Sequence, residues 1–248
     1  MENLLERSSS RCWDCAWLNV FLTLCLLASL FFAIYINPRV FIASGVCYLI
    51  IICETCCSLT RSFLGNVMPP GQLTQYLVSL GALPPHIKYW IQNYHYETRT
   101  RTVNGKTHTE RVRVNTHQAT EYYAWGDCVD KSPEPDSVEI IKNFKLTRVT
   151  NGLNVSYTPD AWASFAYQEE DFKKRNIRDT EWDYRVINEI PGHIGEILLH
   201  NMPDGLPWYA NPTYYWLFTF AGMGWLYRIL FLLNSQKVTF DFAKIILK

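Results

Sequence analysis

Two ionisable residues lie inside otherwise apolar stretches of this chain. Glu54 is the single charged residue between positions 40 and 60, and Arg228 lies in the apolar segment 209–233. Glu54 comes seven residues before Arg61 and Arg228 comes six residues before Asn234, so both would lie about 10 Å along a helix from a polar end. An unpaired charge in a bilayer is costly. The sequence therefore predicts an intramembrane ion pair, the alternative being that each side chain reaches out to its nearest interface.

Cysteine thiols could serve two kinds of chemistry. The pairs Cys12/Cys15 and Cys53/Cys56 have the C-x-x-C spacing of half a four-thiolate zinc site. A helical hairpin turning near Pro38 would hold the two pairs about 12 Å apart, so no metal ligand is predicted. Reversible S-palmitoylation near a cytosolic membrane face is predicted instead, against the alternative of small packing residues; the candidate positions are Cys12, Cys15, Cys56 and Cys57.

A third group consists of positively charged residues on a predicted β-ribbon. Thr-, Tyr- and Val-rich runs at 94–103 and 106–115 flank Asn104-Gly105, which predicts a β-hairpin with a two-residue type I′ turn. That register places Arg99 opposite Glu110, Thr100 opposite Thr109 and Tyr96 opposite Arg113. The cations of the ribbon are predicted to contact anionic lipid or an acidic partner, the alternative being a merely soluble surface; they are Arg99, Arg101, Lys106, Arg111 and Arg113.

Catalytic motifs are absent from the sequence. It contains no G-x-S-x-G elbow, no glycine-rich phosphate loop, no H-E-x-x-H and no acidic calcium loop. Its isolated histidines are expected to be structural. We therefore predict no catalytic, cofactor-binding or metal-binding residue.

Apolar helices would have to position Glu54 and Arg228. Positions 15–38 carry no charged side chain, and about 20 apolar residues match the hydrocarbon thickness of a bilayer. Transmembrane helices are predicted at about 16–36 and 40–60, turned by Asn37, Pro38 and Arg39; a cleaved signal peptide fits this long, aromatic run poorly. The segment 207–234 contains Gly222-Met223-Gly224, and either spans the membrane or breaks at the glycines and returns.

Composition divides the chain into regions. The predicted boundaries are an amino-terminal membrane region at 1–61, a juxtamembrane connector at 62–87, a β-rich soluble domain at 88–206, a membrane segment at 207–234 and a terminal strand or tail at 235–248. The expected fold class is membrane α+β, with short helices in the soluble domain. The formal net charge of zero argues against nucleic acid as the main partner.

The soluble domain is expected to face the cytosol because it contains a single cysteine, Cys128, and cannot close an internal disulfide. The sequon Asn154-Val155-Ser156 would argue for the opposite side, but it lies in a predicted strand. Asn151-Gly152 predicts a second hairpin between 144–150 and 153–157. Short helices are predicted within 168–190, and alternating apolar residues at 237–247 predict a strand that joins the sheet.

Several stretches, taken in order, resemble the transmembrane protein 151 family over about residues 17–248. They are Tyr94-His95-Tyr96-Glu97 with Arg99 and Arg101, Arg113-Val114-Asn115-Thr116-His117 with Ala119, Glu121 and Tyr123, and Leu206-Pro207-Trp208-Tyr209 through Trp216 to Trp225-Leu226-Tyr227-Arg228-Ile229-Leu230. Family members usually show Trp-Pro-Leu-Arg where this chain has Trp225-Leu226-Tyr227-Arg228, so the break must rest on the glycines. The resemblance implies an integral multipass membrane protein of uncharacterised molecular function, resident in the endoplasmic reticulum or another endomembrane.

Together these features predict a non-enzymatic interaction or scaffold protein that presents a cytosolic β-rich domain at a lipid bilayer to protein partners. Two alternatives remain open. A channel or transporter subunit would use Glu54 and the glycine-broken segment to line a path, although three membrane segments enclose no pore without oligomerisation. A membrane-surface enzyme would need a nucleophile beside a base.

Overall fold

The apolar amino-terminal segments form helices joined by a tight turn. The computed structural model describes residues 16–103, 106–134, 145–202 and 205–248. Helix α1 runs Ala16–Tyr35, a single 3-10 turn covers Pro38–Val40, and α2 runs Phe41–Cys56. Asn37 Oδ1 accepts a hydrogen bond from the Arg39 backbone N–H at 3.0 Å, which closes the turn locally. The short helix α3, Leu59–Gly65, begins at Ser58, whose hydroxyl accepts from the Arg61 N–H.

One described helix is long and apolar enough to cross a membrane. Within α1, Leu18–Tyr35 has a mean hydropathy of 2.2 and only 11% of the window is buried. α2 reaches the length of a span only together with α3, and the two are bent by 50°. α2 ends at Cys56. This is four residues before position 60, where the sequence predicted the end of the second transmembrane helix.

The remaining elements build two sheets. The further helices are α4 (Pro70–Ala82), α5 (Pro159–Asn176), α6 (Pro212–Phe220) and α7 (Gly224–Leu233), with a 3-10 turn at Trp208–Ala210. The strands are β1 (Val67–Met68), β2 (His86–Val103), β3 (Lys106–Tyr122), β4 (Asp127–Asp130), β5 (Leu146–Tyr157), β6 (Glu181–Glu189), β7 (Glu196–His200) and β8 (Gln236–Leu247). One sheet has the order β1-β7-β5-β8-β4 and the other the order β3-β2-β6. The described chain is thus a mixed α+β fold.

Strands β2 and β3 form a long antiparallel ribbon. Arg99 pairs with Glu110, Thr100 with Thr109 and Tyr96 with Arg113, the partners that a two-residue turn at 104–105 requires. The register shifts at Asn93/Tyr94, where a bulge interrupts the ladder. Below this bulge, β6 pairs with the other edge of β2.

The described chain divides into two compact units. The first contains residues 16–76, 145–151, 194–202 and 205–240, and the second contains 77–103, 106–134, 152–193 and 241–248. The predicted soluble domain at 88–206 therefore contributes to both. The core of the first unit is Phe63, Leu64, Leu146, Leu198, Ala210, Tyr215, Tyr227 and Phe231.

In the second unit, α5 packs on the three-stranded sheet. Its first turn carries Asp160 and its last turn Lys173, Lys174 and Arg175, which suits the helix dipole. The buried side of the helix presents Phe165 and Phe172 to Tyr89, with ring centroids 5.2 and 5.6 Å apart. The core consists of Ile87, Tyr89, Ile91, Tyr123, Val155, Ala161, Phe165, Phe172 and Ile246.

Two local predictions are wrong. Asn151-Gly152 forms no turn, because the Asn151 backbone N–H donates to Gly195 O at 2.7 Å and its side chain donates to Ile194 O at 3.0 Å, which keeps β5 straight through both residues. Residues 181–189 are not helical, because they pair as β6 with β2. The predicted strand at 237–247 is present as β8.

Candidate functional site

Glu54 and Arg228 meet inside the first unit. Glu54 lies in the last turn of α2 and Arg228 near the middle of α7. The two guanidinium NH groups of Arg228 donate to the two carboxylate oxygens at 2.6 and 2.8 Å. The Arg228 side chain is fully buried and that of Glu54 is 11% exposed. This two-pronged geometry is the strongest form of a carboxylate–guanidinium contact.

Helix α1 supplies a third member of the cluster. Asn19 is fully buried, and its Nδ2 donates to Glu54 Oε2 at 2.8 Å. Gly224 lies beside this contact: a Cβ at that position would be 3.7 Å from Asn19 Oδ1, an ordinary van der Waals distance, and a tighter 3.3 Å from Thr219 Oγ1. Asn19 therefore ties α1 to the same carboxylate that α7 binds.

A second layer of hydrogen bonds surrounds the ion pair. The Tyr215 hydroxyl donates to Thr55 O at 3.1 Å and lies 2.5 Å from Ser58 Oγ. Thr55 Oγ1 lies 3.5 Å from Arg228 NH2. Tyr215, Thr55 and Ser58 are all buried. Polar groups in an apolar interior are stable only when they are paired, and here they join α2 to α6 and α7.

The break between α6 and α7 falls at the predicted glycines. Gly222 has a φ of +73°, a conformation that residues with a Cβ rarely adopt. Two carbonyls at the break are capped by side chains from the first two helices. The Thr23 hydroxyl is shared between Asn19 O in its own helix, at 2.8 Å, and Gly222 O, at 3.2 Å. The Tyr48 hydroxyl donates to Phe220 O at 3.1 Å. The break is thus held by α1 and α2 rather than left open.

An apolar groove lies beside this break. It has a volume of about 570 Å³ and is bounded by α1, α2 and the α6–α7 connection. Its lining residues are Thr23, Leu26, Leu27, Leu30, Phe41, Ser44, Gly45, Tyr48, Phe220, Ala221, Gly222, Met223 and Trp225.

The arrangement at Glu54 is suited to structural anchoring. Both carboxylate oxygens accept hydrogen bonds from Arg228, and one also accepts from Asn19. A carboxylate held in this way has little capacity left to act as a nucleophile or to bind a mobile ion. Removing one partner would leave a buried charge without its counterion.

The predicted palmitoylation sites are only partly within the described chain. Cys56 is half-buried and Cys57 is exposed at the end of α2. Cys12 and Cys15 lie outside the described residues. Cys53 is also exposed. In the second unit, burial raises the pKa of the Cys128 thiol, which disfavours its thiolate.

The cations of the ribbon do not gather on one face. Arg111 stacks on Tyr96 and Arg113 on Tyr94, with guanidinium carbons 4.3 and 3.6 Å from the ring centroids. Because side chains alternate along a strand, Arg99 lies on the opposite face, where it approaches Glu97 at 3.5 Å. The side chains of Arg101 and Lys106 lie outside the described residues.

Sequence reasoning missed a polar cluster at the base of the ribbon. His95 Nδ1 lies 2.9 Å from Asp179 Oδ2, which also accepts a hydrogen bond from Thr116 Oγ1 at 2.8 Å. Asp179, and then Glu97, raises the pKa of His95. Hydrogen bonds from His95, the Thr180 N–H and Thr116 lower the pKa of Asp179 to about 2. The separation of 84 residues between His95 and Asp179 left no local signal.

Asn93 is a second residue that the sequence did not single out. It is fully buried, and its Nδ2 donates to Asn176 O at 2.8 Å while its Oδ1 accepts from the Arg178 N–H at 2.9 Å. It therefore fixes the end of α5 against β2. Within the parts of the chain that the structure describes, no group of three or more His, Cys, Asp or Glu side chains could hold a metal ion.

Comparisons with known proteins place the chain in a family. Proteins named "Transmembrane protein 151 homolog" are similar to it: that of Caenorhabditis briggsae is 25% identical over 183 residues, covering 68% of this chain and 34% of the relative. That of Caenorhabditis elegans is 24% identical over 183 residues, covering 68% and 33%. The chain thus spans about a third of the length of the curated relatives it matches. No solved structure matches it significantly. The family model described as the TMEM151 family matches residues 33–247, and the chain therefore belongs to that family of membrane proteins.

Proposed function

We propose that this chain is a non-enzymatic interaction protein that presents its β-rich unit at the cytosolic face of an endomembrane such as the endoplasmic reticulum. α1 and α2 cross the bilayer as a hairpin, and α6 and α7 enter it and return to the same side. The observation that carries the proposal is the double contact of Arg228 with Glu54, at 2.6 and 2.8 Å. Two charges that pair need the same depth, which a returning segment provides.

The contacts between α6 and α7 support the returning segment. The rings of Tyr215 and Tyr227 lie 5.3 Å apart, and those of Phe218 and Tyr227 lie 5.8 Å apart. These contacts connect residues on both sides of Gly222, so the two helices fold back on each other. A single straight crossing would separate them.

Charge distribution supports a cytosolic orientation. Arg7 and Arg11 precede α1, and positively charged flanks favour the cytosolic side. A hairpin of two crossings returns the chain to that side, and a re-entrant α6–α7 leaves β8 there as well.

The channel alternative receives less support. A residue that lines an ion path must exchange its ligands as ions pass, whereas Glu54 is held by Arg228 and Asn19 together. The alternative is testable by reconstituting the full chain in vesicles. Ion conduction that disappears in Glu54→Gln would replace the proposal with a channel function.

Topology mapping tests the proposal directly. Reporters placed after Asn104 and after Lys248 should both report the cytosolic side. A third reporter in the α1–α2 turn, after Asn37, should report the opposite side and serves as the control. Reporters after Asn104 and Lys248 on different sides would eliminate the re-entrant segment.

Proximity labelling tests the interaction role. A labelling enzyme fused after Lys248 should return a reproducible partner set that shrinks when Arg111 and Arg113 are replaced by Gln. Lys174→Gln, which removes an exposed cation from α5, is the matched control and should retain the set. Equal losses in both variants, or no stable set, would contradict the interaction role.

A further inference from the structure

We infer that the groove beside the helix break binds one acyl chain of a bilayer phospholipid, which enters from the leaflet next to the α1–α2 turn. This inference rests on the membrane placement proposed above. It assigns a ligand class to a site outside the Glu54–Arg228 cluster.

The lining of the groove is chemically suited to a hydrocarbon chain. Eight of its thirteen lining residues are Leu, Phe, Met, Ala or Trp. Its volume of about 570 Å³ lies within the range of ~300–1,000 Å³ typical of small-molecule sites. Leu27 and Phe41 on its rim are 57% and 49% exposed. The groove is therefore continuous with the exposed apolar surface of α1 and α2, which the proposed placement puts against lipid.

The side-chain hydroxyl groups in the lining already make hydrogen bonds within the protein. Ser44 Oγ lies 2.8 Å from Ser29 Oγ. The Thr23 hydroxyl is shared between Asn19 O and Gly222 O, and the Tyr48 hydroxyl donates to Phe220 O. A headgroup would find few polar groups to contact in this apolar lining, whereas an acyl chain needs no polar partner. The chemistry therefore favours the tail of a phospholipid over a polar ligand.

The length of the groove is short for a crossing helix from a second copy of the chain. Along α1 the lining runs from Thr23 to Leu30, about 10 Å, which is a third of the ~30 Å that a spanning helix needs. The α6–α7 connection closes one end, where Gly222 and Phe220 contact Thr23 and Tyr48. The other end lies toward the α1–α2 turn. An acyl chain, which ends inside the bilayer, matches a groove of this length.

A substitution at Gly45 can fill the groove. It lines the groove, and a Cβ at this position would meet no atom within 4 Å. A larger side chain at position 45 can therefore occupy the space of the ligand without striking the backbone. Its neighbour Val46 is 52% exposed and does not line the groove.

Native mass spectrometry of the full chain, purified in detergent from membranes, tests the inference. We expect one phospholipid adduct on the natural chain, reduced at least tenfold in Gly45→Phe and in the smaller Gly45→Leu, and unchanged in Val46→Phe. A size-exclusion profile and a melting curve for each variant establish that it is folded. Because the adduct is read on purified protein, its absence would overturn this inference while the topology reporters still judged the proposed function.

Three further results would overturn the inference. The first is an adduct that persists in both folded Gly45 variants. The second is a sterol in place of the phospholipid. The third is a dimer whose mass disappears in Gly45→Phe, which would make a second copy of the chain the occupant.

Discussion

Replacing the members of the ion pair singly and together should reveal their coupling. Glu54→Leu leaves the fully buried Arg228 guanidinium without its counterion, and a guanidinium cannot become neutral by losing a proton. Breaking a buried pair from one side costs about 3–5 kcal/mol, which corresponds to a fall in Tm of roughly 6–20 °C for a chain of this size. Arg228→Met should cost less, because Glu54 keeps the hydrogen bond from Asn19 and is 11% exposed.

The double variant Glu54→Leu/Arg228→Met removes both charges. Replacing a buried pair by apolar residues of similar volume is often near neutral. Here Asn19 Nδ2 loses its acceptor at 2.8 Å, which leaves a residual cost of about 1–3 kcal/mol. The double variant should therefore be more stable than Glu54→Leu alone.

The assay is unfolding of the full chain in detergent, followed by tryptophan fluorescence against denaturant and by size-exclusion chromatography after heating. Val46→Phe, on an exposed part of α2, controls for changes in an apolar helix. The reasoning is refuted if the double variant loses the sum of the two single losses. It is also refuted if Glu54→Leu lies within about 1 kcal/mol of the natural chain, since this would mean that solvent or lipid headgroups reach Arg228.

Three further perturbations follow from the described contacts. The raised pKa of His95 and the lowered pKa of Asp179, about 2, mean that their pair stabilises fully between about pH 4 and 6.5. The contribution of this pair to the free energy of unfolding is lost as the pH rises through the raised pKa of His95 or falls through the lowered pKa of Asp179. Denaturant midpoints measured from pH 4 to 9 should fall toward alkaline pH, and Asp179→Asn should reduce this fall. Asn93→Ala should cost about 2–4 kcal/mol in denaturant unfolding, because it leaves buried backbone groups without partners, and full stability would contradict its role. Gly222→Ala should cost about 1–2 kcal/mol because of the φ of +73°. Gly65→Ala, in a helix with open space and no positive φ, should be neutral or stabilising by up to about 1 kcal/mol, and equal melting curves for the two variants would refute the argument.

Local chemistry was enough to predict some elements but not others. The hairpin at Asn104-Gly105 could be read from the sequence because its strands are adjacent and its turn residues set the register. The same dipeptide at Asn151-Gly152 was misleading, because a distant segment decides its conformation: Gly195 and Ile194 supply acceptors more than 40 residues away. Strand β6 was misread for the same reason, since its pairing with β2 spans a large part of the chain.

The sequence could predict residues of the candidate site only where leaving a charge unpaired would have a large free-energy cost. A charged residue inside an apolar run demands a partner, and that demand is enough to single out Glu54 and Arg228 from the sequence alone. Asn19 carries no charge and shares its apolar run with other uncharged polar residues, among them Thr23 and Ser29, so the same argument gives it no weight. Its role depends on the packing of α1 against the end of α2, which brings its side chain to Glu54 from 35 residues away in the chain and which neither local sequence encodes.

The way in which the helix break is capped has a consequence for biogenesis. Thr23 and Tyr48 cap the carbonyls of Gly222 and Phe220, and Glu54 receives Arg228. Thr23, Tyr48 and Glu54 all lie in the part of the chain that a ribosome makes first. When α6 and α7 are synthesised, the groups that bind them are therefore already present in α1 and α2. A nascent chain that lacks α1 and α2 should leave α6 and α7 exposed to quality-control proteases.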